Sequence, residues 1–257
     1  NYYCLTRDGQ WLRTKAFPLM KAVADFWVSR VTRNDDGSYS ICNVVGADEY
    51  ANGVDDNAFT NGAAIRALEC ACEAARICNE PVPEIWEEVG KGIRILRFKD
   101  GVTREHATYN GEMIKQADVN LLGYPLYFVG DAESQKKDME YYVDKIDPQN
   151  GPAMSYSVFC VQYARMGDAK HAYEMFCRCY QPNLRAPFGV LAETPTSDNP
   201  YFMTGAGGLL QAVINGFCGL QITDGGVEQL SSVLPAHWKK VTVKGVGPEK
   251  KMYTRER

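Results

Sequence analysis

Residues 154–180 read MSYSVFCVQYARMGDAKHAYEMFCRCY, and this stretch decides the fold class. Two apolar, helix-forming segments, 154–166 and 168–180, meet at Gly167-Asp168. Connections this short join antiparallel helices that pack side by side. The stretch therefore predicts a helical hairpin and, with the other helical segments of the chain, a mainly α fold.

The same helical periodicity recurs upstream and downstream of the hairpin. In residues 17–31, Leu19, Val23, Phe26 and Trp27 recur at spacings of three and four, which predicts one apolar face directed at the core. The remaining helices are predicted from similar patterns, over residues 57–78, 83–93, 113–122, 131–146 and 205–217.

Residues 181–204 interrupt the helical pattern with four prolines, at positions 182, 187, 195 and 200. Proline lacks the amide N–H that regular elements need, so a long loop is predicted, either ordered or disordered. Long loops inside helical domains are usually functional. After Gly219, residues 220–223 and 240–246 alternate apolar and polar side chains, which predicts β-strands.

The composition indicates an ordinary soluble globular protein, with 257 residues of which 45% are hydrophobic and 23% charged. A net charge of -4 provides no basic field for a phosphate backbone, so no nucleic-acid partner is expected. No apolar run approaches the roughly 18 to 20 residues that cross a bilayer, so no membrane contact is expected either.

Nine cysteines are an odd number, and several fall within helical periods among apolar residues, which predicts buried free thiols. The pairs at 70 and 72 and at 177 and 179 lack metal-ligand spacing, and the three histidines lie far from them in sequence. Neither a metal nor another cofactor is expected.

Two glutamates, Glu49 and Glu193, lie in loop-like sequence ahead of helical segments. A carboxylate in such a loop can face a cleft instead of a core. Glycoside hydrolysis needs two carboxyl groups, one to protonate the leaving oxygen and one to activate water or attack the sugar. The alternative interpretation is that both are solvated, and that the acidic stretch 46–61 only caps the helix beginning near Asn57.

A polar cluster, Lys115-Gln116-Ala117-Asp118, interrupts an otherwise apolar predicted helix. Buried polar groups without partners cost about 1 to 3 kcal/mol each, so these side chains need hydrogen bonds. Sugar hydroxyls would supply them, since lysine donates and glutamine both donates and accepts. A structural network between helices is the other interpretation.

Four motifs occur in an order that resembles the catalytic part of glycoside hydrolase family 65. They are GADEY at 46–50, VDDNAFTN at 54–61, KQADV at 115–119 and the glycine-rich GAGGLLQA at 205–212. The resemblance covers about residues 40–218, and 11–31 resemble the preceding helix of the family. It implies that 1–218 form part of an (α/α)6 barrel and that 219–257 begin a C-terminal β-sandwich, with the chain truncated at both ends.

The resemblance also implies roles for individual residues. Glu49 would be the general acid, and Glu193, in an Ala-Glu-Thr context similar to the hydrolase branch, the general base of an inverting reaction. Glu49 is then expected to be the more desolvated of the two, with Asp48 and Asp55 raising its pKa. The side chains expected to contact substrate are Asp48, Tyr50, Lys115 and Gln116.

The expected substrate is an α-1,2-linked glucoside such as kojibiose, because Asp100–Glu105 and 187–193 look most like bacterial enzymes of that specificity. The family's phosphorylases carry a histidine near the glycine-rich helix, and none lies between residues 172 and 236. A phosphorylase or acid trehalase of the family, and a carbohydrate-binding helical module without activity, are the alternatives.

The expected partners are the α-glucoside, the remainder of the barrel and a second copy of the chain in a homodimer. The resemblance suggests a periplasmic or extracellular location, which the chain itself does not encode. The family's tryptophan-aspartate element that binds glucose precedes residue 1, so the chain alone is expected to be inactive.

Overall fold

The computed structural model describes residues 1–128 and 131–257 and is mainly helical. The α-helices are α1 (Tyr2–Thr6), α2 (Gly9–Trp11), α3 (Phe17–Arg30), α4 (Ala58–Cys78), α5 (Glu84–Gly92), α6 (Ala132–Tyr142), α7 (Met154–Arg165), α8 (Ala169–Arg178) and α9 (Met203–Gln211). Shorter helical turns are the π-type Leu12–Ala16 and Ala212–Phe217 and the 3-10 type Val119–Leu122 and Gln181–Asn183.

Capping residues in the sequence explain where the central helices begin and end. The Asn57 side chain accepts a hydrogen bond from the Thr60 amide at 2.9 Å and so starts α4. Asn79 ends the same helix in the left-handed conformation, with φ of 58°. Asp131 and Asp168 cap α6 and α8 in the same way as Asn57. Local signals of this kind are why most helices were predictable.

The predicted hairpin is confirmed as α7 and α8, and α7 lies at the centre of the larger core. It packs against α8, α9 and the π-helical turn Ala212–Phe217. Phe159 and Cys160 of α7 are completely buried. Gly216 lets the π-helical turn approach closely, because a Cβ there would lie 3.2 Å from the Val161 Cα.

A second core forms where α4 packs between α3 and α5. Leu68 of α4 and Trp86 of α5 are almost fully buried in it. Ile95 and Phe128 contact both cores and so join them.

Three details of the predicted helices are wrong. Residues 143–146 are not helical, because α6 ends at Tyr142 and a turn follows. Residues 113–118 are not helical, because the Lys115 amide donates to the side chain of Asp48, and the 3-10 turn begins only at Val119. The apolar face predicted on α3 is exposed at Leu19 (67%) and Phe26 (53%). The side of α3 that packs against the second core carries Met20 and Ala24, together with Trp27 from the predicted face.

The strands form two-stranded antiparallel sheets throughout the described residues. The pairs are β1 (Thr32–Arg33) with β2 (Tyr39–Ser40), β3 (Leu184–Arg185) with β4 (Val190–Leu191), β5 (Leu220–Thr223) with β6 (Gly226–Gln229), and β7 (Lys240–Val246) with β8 (Lys251–Glu256). The predicted strands at 220–223 and 240–246 are thus confirmed as β5 and β7. Among the helices of residues 1–128 and 131–257, none is long and apolar enough to cross a membrane.

The proline-rich segment 181–204 contains the 3-10 turn Gln181–Asn183, the short β3–β4 hairpin and an irregular loop, and its last two residues begin α9. Backbone hydrogen bonds within the segment hold the ends of this irregular loop. At its start, the Ala192 amide donates to the Asn183 carbonyl at 2.8 Å. The Phe202 amide donates to the Leu191 carbonyl at 2.9 Å. The loop that contains Glu193 is therefore held at both ends.

Candidate active site

The loop that contains Glu49 is held by a buried aspartate, Asp118. Its Oδ2 accepts from the Ala47 amide at 2.8 Å and the Asp48 amide at 3.3 Å. The Asn57 side-chain amide donates to the same oxygen at 3.0 Å, and the Phe59 amide donates to Oδ1 at 3.2 Å. Complete burial raises the pKa of Asp118 to about 6, against the effect of these hydrogen bonds. Asp118 therefore joins the Glu49 loop to the start of α4.

Glycine is required at position 46 because of this close packing. A Cβ there would lie 2.3 Å from Asn57 Nδ2 and 2.6 Å from Asp118 Oδ2. Both atoms belong to the buried network, so neither can move aside freely. The glycine that opens the GADEY motif thus has a packing reason.

Asp48 is buried, with 2% of its surface exposed, although it was predicted to contact substrate. Its Oδ1 accepts from the Lys115 amide at 2.7 Å and the Tyr50 amide at 3.2 Å. Asp48 thereby fixes the backbone of the Lys115 segment against the Glu49 loop. Its contact with a sugar stays a prediction.

Glu49, Lys115 and Gln116 meet at the surface of this loop. The Lys115 ammonium forms an ion pair with Glu49, whose side chain is 58% exposed. The Gln116 side chain also lies close enough to Glu49 to lower its pKa. The hydrogen bond from Lys115, more than its charge, holds the pKa of Glu49 below its usual range.

The expectation of a desolvated Glu49 with a raised pKa is therefore wrong for this chain. Glu49 is exposed, whereas Glu193 is partly buried, so the order of desolvation is the reverse of the expected one. Asp48 and Asp55 do not act as expected, because both accept hydrogen bonds from backbone amides and the cation Lys115 decides the pKa instead.

Glu193 lies near the same lysine. Its charge contributes, after that of Glu49, to raising the pKa of Lys115. The Glu193 carbonyl accepts from the Ala153 amide at 3.1 Å and from the Asn183 side chain at 3.1 Å. Asn183 is buried and also donates to the Ala192 carbonyl, so the backbone at Glu193 is fixed on α7 and on the start of the β3–β4 hairpin. The structure thus pairs Glu49 with Lys115 and places Glu193 where its charge acts on the same lysine.

Arg185 holds the turn that follows Glu193. Its guanidinium donates to the carbonyls of Pro195 at 2.8 Å and Ser197 at 2.7 Å, and more weakly to that of Thr194. It also donates to the Asp198 carboxylate at 3.2 Å. One planar side chain therefore stabilises the whole turn, a geometry that lysine cannot reproduce.

Replacing Arg185 by Ala is expected to loosen this turn without unfolding the chain. Hydrogen bonds from charged groups contribute about 1.5 to 3 kcal/mol, so amide hydrogen exchange at Ser197 should accelerate by about tenfold or more. Arg76→Ala is the matched control, because its exposed guanidinium pairs with Glu87 away from the loop. Unchanged exchange at Ser197 in Arg185→Ala would contradict the assigned role.

Tyr50 was predicted to contact substrate, and its ring is half exposed. Its hydroxyl donates to Asp147 Oδ2 at 2.8 Å. Asp147 also accepts from the backbone and side-chain amides of Asn150 and from the Gln149 amide, and these hydrogen bonds lower its pKa strongly. Sequence reasoning missed Asp147, although Asp-Pro-Gln-Asn-Gly is a turn signal.

A cavity of about 360 Å³ lies between the Lys115 segment and α9. Its lining includes Ala47, Gln116, Tyr124, Gly207 and Gly208. The glycine-rich start of α9 therefore lines this cavity. A larger cavity of about 900 Å³ lies against α6 and α8 and includes none of the predicted site residues.

Comparison with known proteins identifies the family. Residues 1–109 match the model of the glycosyl hydrolase family 65 central catalytic domain. A kojibiose hydrolase of Mucilaginibacter mallensis is 51% identical over 253 residues, 98% of this chain. The chain belongs to glycoside hydrolase family 65. This chain spans 37% of the length of that relative.

Two further family 65 matches agree with this membership. The protein-glucosylgalactosylhydroxylysine glucosidase of Dictyostelium discoideum is 38% identical over 88% of this chain, which spans 32% of that enzyme. A solved structure titled putative kojibiose phosphorylase from human microbiome superimposes with a TM-score of 0.75. The superposition covers 100% of this chain and 39% of the chain of that structure, at 16% sequence identity, and so shows the shared fold.

Proposed function

We propose that this chain is the part of an inverting, exo-acting α-glucoside hydrolase that contains both catalytic carboxyl groups. The observation that carries the proposal is that the ammonium group of Lys115 pairs with Glu49 and is also influenced by Glu193. Two carboxyl groups facing one small region are what inverting glycoside hydrolysis needs. Similarity to kojibiose hydrolases supports an α-1,2-linked glucoside such as kojibiose as substrate.

In the proposed mechanism, Glu193 takes a proton from water on the face of the sugar opposite Glu49. The water oxygen bonds to the anomeric carbon while the bond to the glycosidic oxygen breaks, and Glu49 gives its proton to that oxygen. The anomeric centre inverts and β-glucose leaves. Room for the water requires carboxyl groups roughly 6.5 to 9.5 Å apart.

In this proposal Lys115 also controls the protonation of Glu49, because an acid paired with a lysine is held ionised. Glu49 can be protonated more easily once Lys115 turns from it to a sugar hydroxyl. Gln116 lines the cavity, and its Oε1 receives no hydrogen bond from the residues that the structure describes. That oxygen is free to accept from a second hydroxyl. Substrate binding would thus raise the pKa of the acid.

The proposal is tested by the products that the full-length protein makes from kojibiose, trehalose and maltose, with and without inorganic phosphate. Proton magnetic resonance should detect β-glucose first, fastest from kojibiose, at a rate that phosphate does not change. Glucose 1-phosphate would show a phosphorylase instead, and preference for trehalose would show an acid trehalase. Binding without turnover would favour a carbohydrate-binding module.

The domain assignment belongs to the same proposal: residues 1–218 as part of an (α/α)6 barrel and 219–257 as the start of a β-sandwich. The α7–α8 hairpin and the packing of α4 against α5 support the first part. The β5–β6 and β7–β8 hairpins, which follow the last helix, support the second. The homodimer stays a prediction.

A further inference from the structure

Glu105 is a buried glutamate that the proposed mechanism does not use. Its side chain is 0% exposed. Neither carboxyl oxygen receives a hydrogen bond from an N–H or O–H group of the described residues. A buried carboxylate without donors is strongly disfavoured. Its backbone carbonyl accepts from the Ala58 amide at 2.7 Å, so the chain position itself is fixed.

The charged groups that act most strongly on Glu105 are all acidic. They are Asp118, Asp48 and, more weakly, Glu112. Tyr109 and Tyr142 also face it, but their hydroxyls donate elsewhere, to the Glu112 and Thr103 carbonyls, each at 2.8 Å. Burial, and then the charges of these acids, raise the pKa of Glu105 to about 9.

The carboxyl groups of Glu105 and Asp48 are both buried, and the charge of Asp48 acts on Glu105. Two ionised carboxylates so placed would repel each other, so one of them must hold a proton. Asp48 accepts from the amides of Lys115 and Tyr50, which favours its ionised form. Glu105 accepts nothing that would favour a charge. We propose that Glu105 is a neutral carboxylic acid that donates a hydrogen bond to Asp48 and so positions the loop that contains Glu49.

The consequence for catalysis rests on the proposed function, whereas the protonation of Glu105 does not. Asp48 precedes Glu49 and also binds the Lys115 amide, so a displaced Asp48 would move both the acid and its lysine. Misplacement of catalytic groups by about 1 Å can lower a rate about 10²-fold. Glu105 is thus a positioning residue that acts through Asp48.

Glu105→Gln in the full-length protein tests the protonation, because the amide keeps a donor for Asp48 and has no charge. At neutral pH, the infrared band of a protonated carboxyl group should be present in the wild-type protein and lost in the variant. The exposed Glu80 supplies the control, Glu80→Gln, which should retain the band. A spectrum unchanged by Glu105→Gln would overturn the proposal.

Unfolding gives a second readout that needs no activity. Because the pKa of Glu105 rises from 4.5 to about 9 on folding, the native chain holds a proton that the unfolded chain releases between these values. Stability should fall as pH rises through this window, with the unfolding constant increasing up to about tenfold per pH unit. Glu105→Gln should remove this contribution, and Glu80→Gln should keep it. An equal pH dependence in wild type and Glu105→Gln would contradict neutrality.

Measurements of activity test the positioning role of Glu105. Glu105→Leu removes the hydrogen-bond donor and should lower kcat about 10²-fold, with a smaller change in KM. Glu105→Gln should keep most of the wild-type kcat. Wild-type kcat in Glu105→Leu, or an equal loss in both variants, would overturn the role. If Glu105→Leu does not fold, retained kcat in Glu105→Gln supports it and a large loss refutes it. A full-length protein that cleaves no α-glucoside would refute the proposed function, while the infrared and unfolding results still decide the protonation.

Discussion

Glu49→Gln in the full-length protein should lower kcat/KM for an α-1,2-glucoside by about 10²–10⁴-fold, the range that general acid catalysis contributes. The amide preserves the size of the side chain and can still lie beside Lys115, but it has no acidic proton to give to the glycosidic oxygen. The loss should fall mainly on kcat, because the interaction is made with the leaving group in the transition state. Initial rates of glucose release would measure it.

A substrate with a leaving group that needs no protonation supplies the control for Glu49→Gln. If Glu49 acts as the acid, the activity of Glu49→Gln toward α-glucosyl fluoride should fall far less than its activity toward the disaccharide. The matched variant is Glu69→Gln, an exposed glutamate on α4 that pairs with Arg66 outside the site. Equal losses with both substrates, or wild-type activity in Glu49→Gln, would reject the assignment.

The pH profile of the wild-type protein belongs to the same prediction. The active form of Glu49 is protonated, so activity is lost as pH rises through its pKa. In the free protein, Lys115 holds that pKa below its usual range. The alkaline limb of kcat/KM reports the pKa of Glu49 in the free protein, and the alkaline limb of kcat reports its pKa in the substrate complex. If Lys115 moves to the sugar, the kcat limb should therefore lie at higher pH. Coinciding limbs would contradict this movement.

The helices of this chain were predictable because their signals are local. Asn57 caps α4 through an amide three residues later, and Asn79 ends it within one turn. The Gly167-Asp168 turn fixes the α7–α8 hairpin in the same way. Each of these features depends on residues that are neighbours in the sequence, so periodicity and capping rules suffice.

The long-range contacts and the electrostatics around the candidate site residues could not be predicted from the sequence. Glu49 meets Lys115 across a separation of 66 residues, and Asp48 meets the Lys115 amide across 67. These contacts keep residues 113–118 from forming a helix and lower the pKa of Glu49. No local sequence pattern predicts either effect. Glu105 was missed for the same reason, because its importance comes from burial beside Asp48 and Asp118.

The second large effect is expected from Glu193, which decides between water and another nucleophile. Glu193→Gln should lower kcat by about 10²–10⁴-fold for kojibiose, because no group then removes the proton from water. Glu193→Gln should lose as much activity toward α-glucosyl fluoride as toward kojibiose, since the missing step is activation of the nucleophile. In this it should differ from Glu49→Gln. The two variants thereby separate the two roles.

Azide identifies the stereochemical course of the Glu193 variants. It needs no deprotonation, so added azide should restore part of the turnover in Glu193→Gln and more in Glu193→Ala, where the shorter side chain leaves room. The product should be β-glucosyl azide, since attack occurs on the face opposite the departing α-linked group. The α-anomer would indicate a retaining reaction in which Glu193 has another role, and undiminished hydrolysis in Glu193→Gln would remove it from the mechanism.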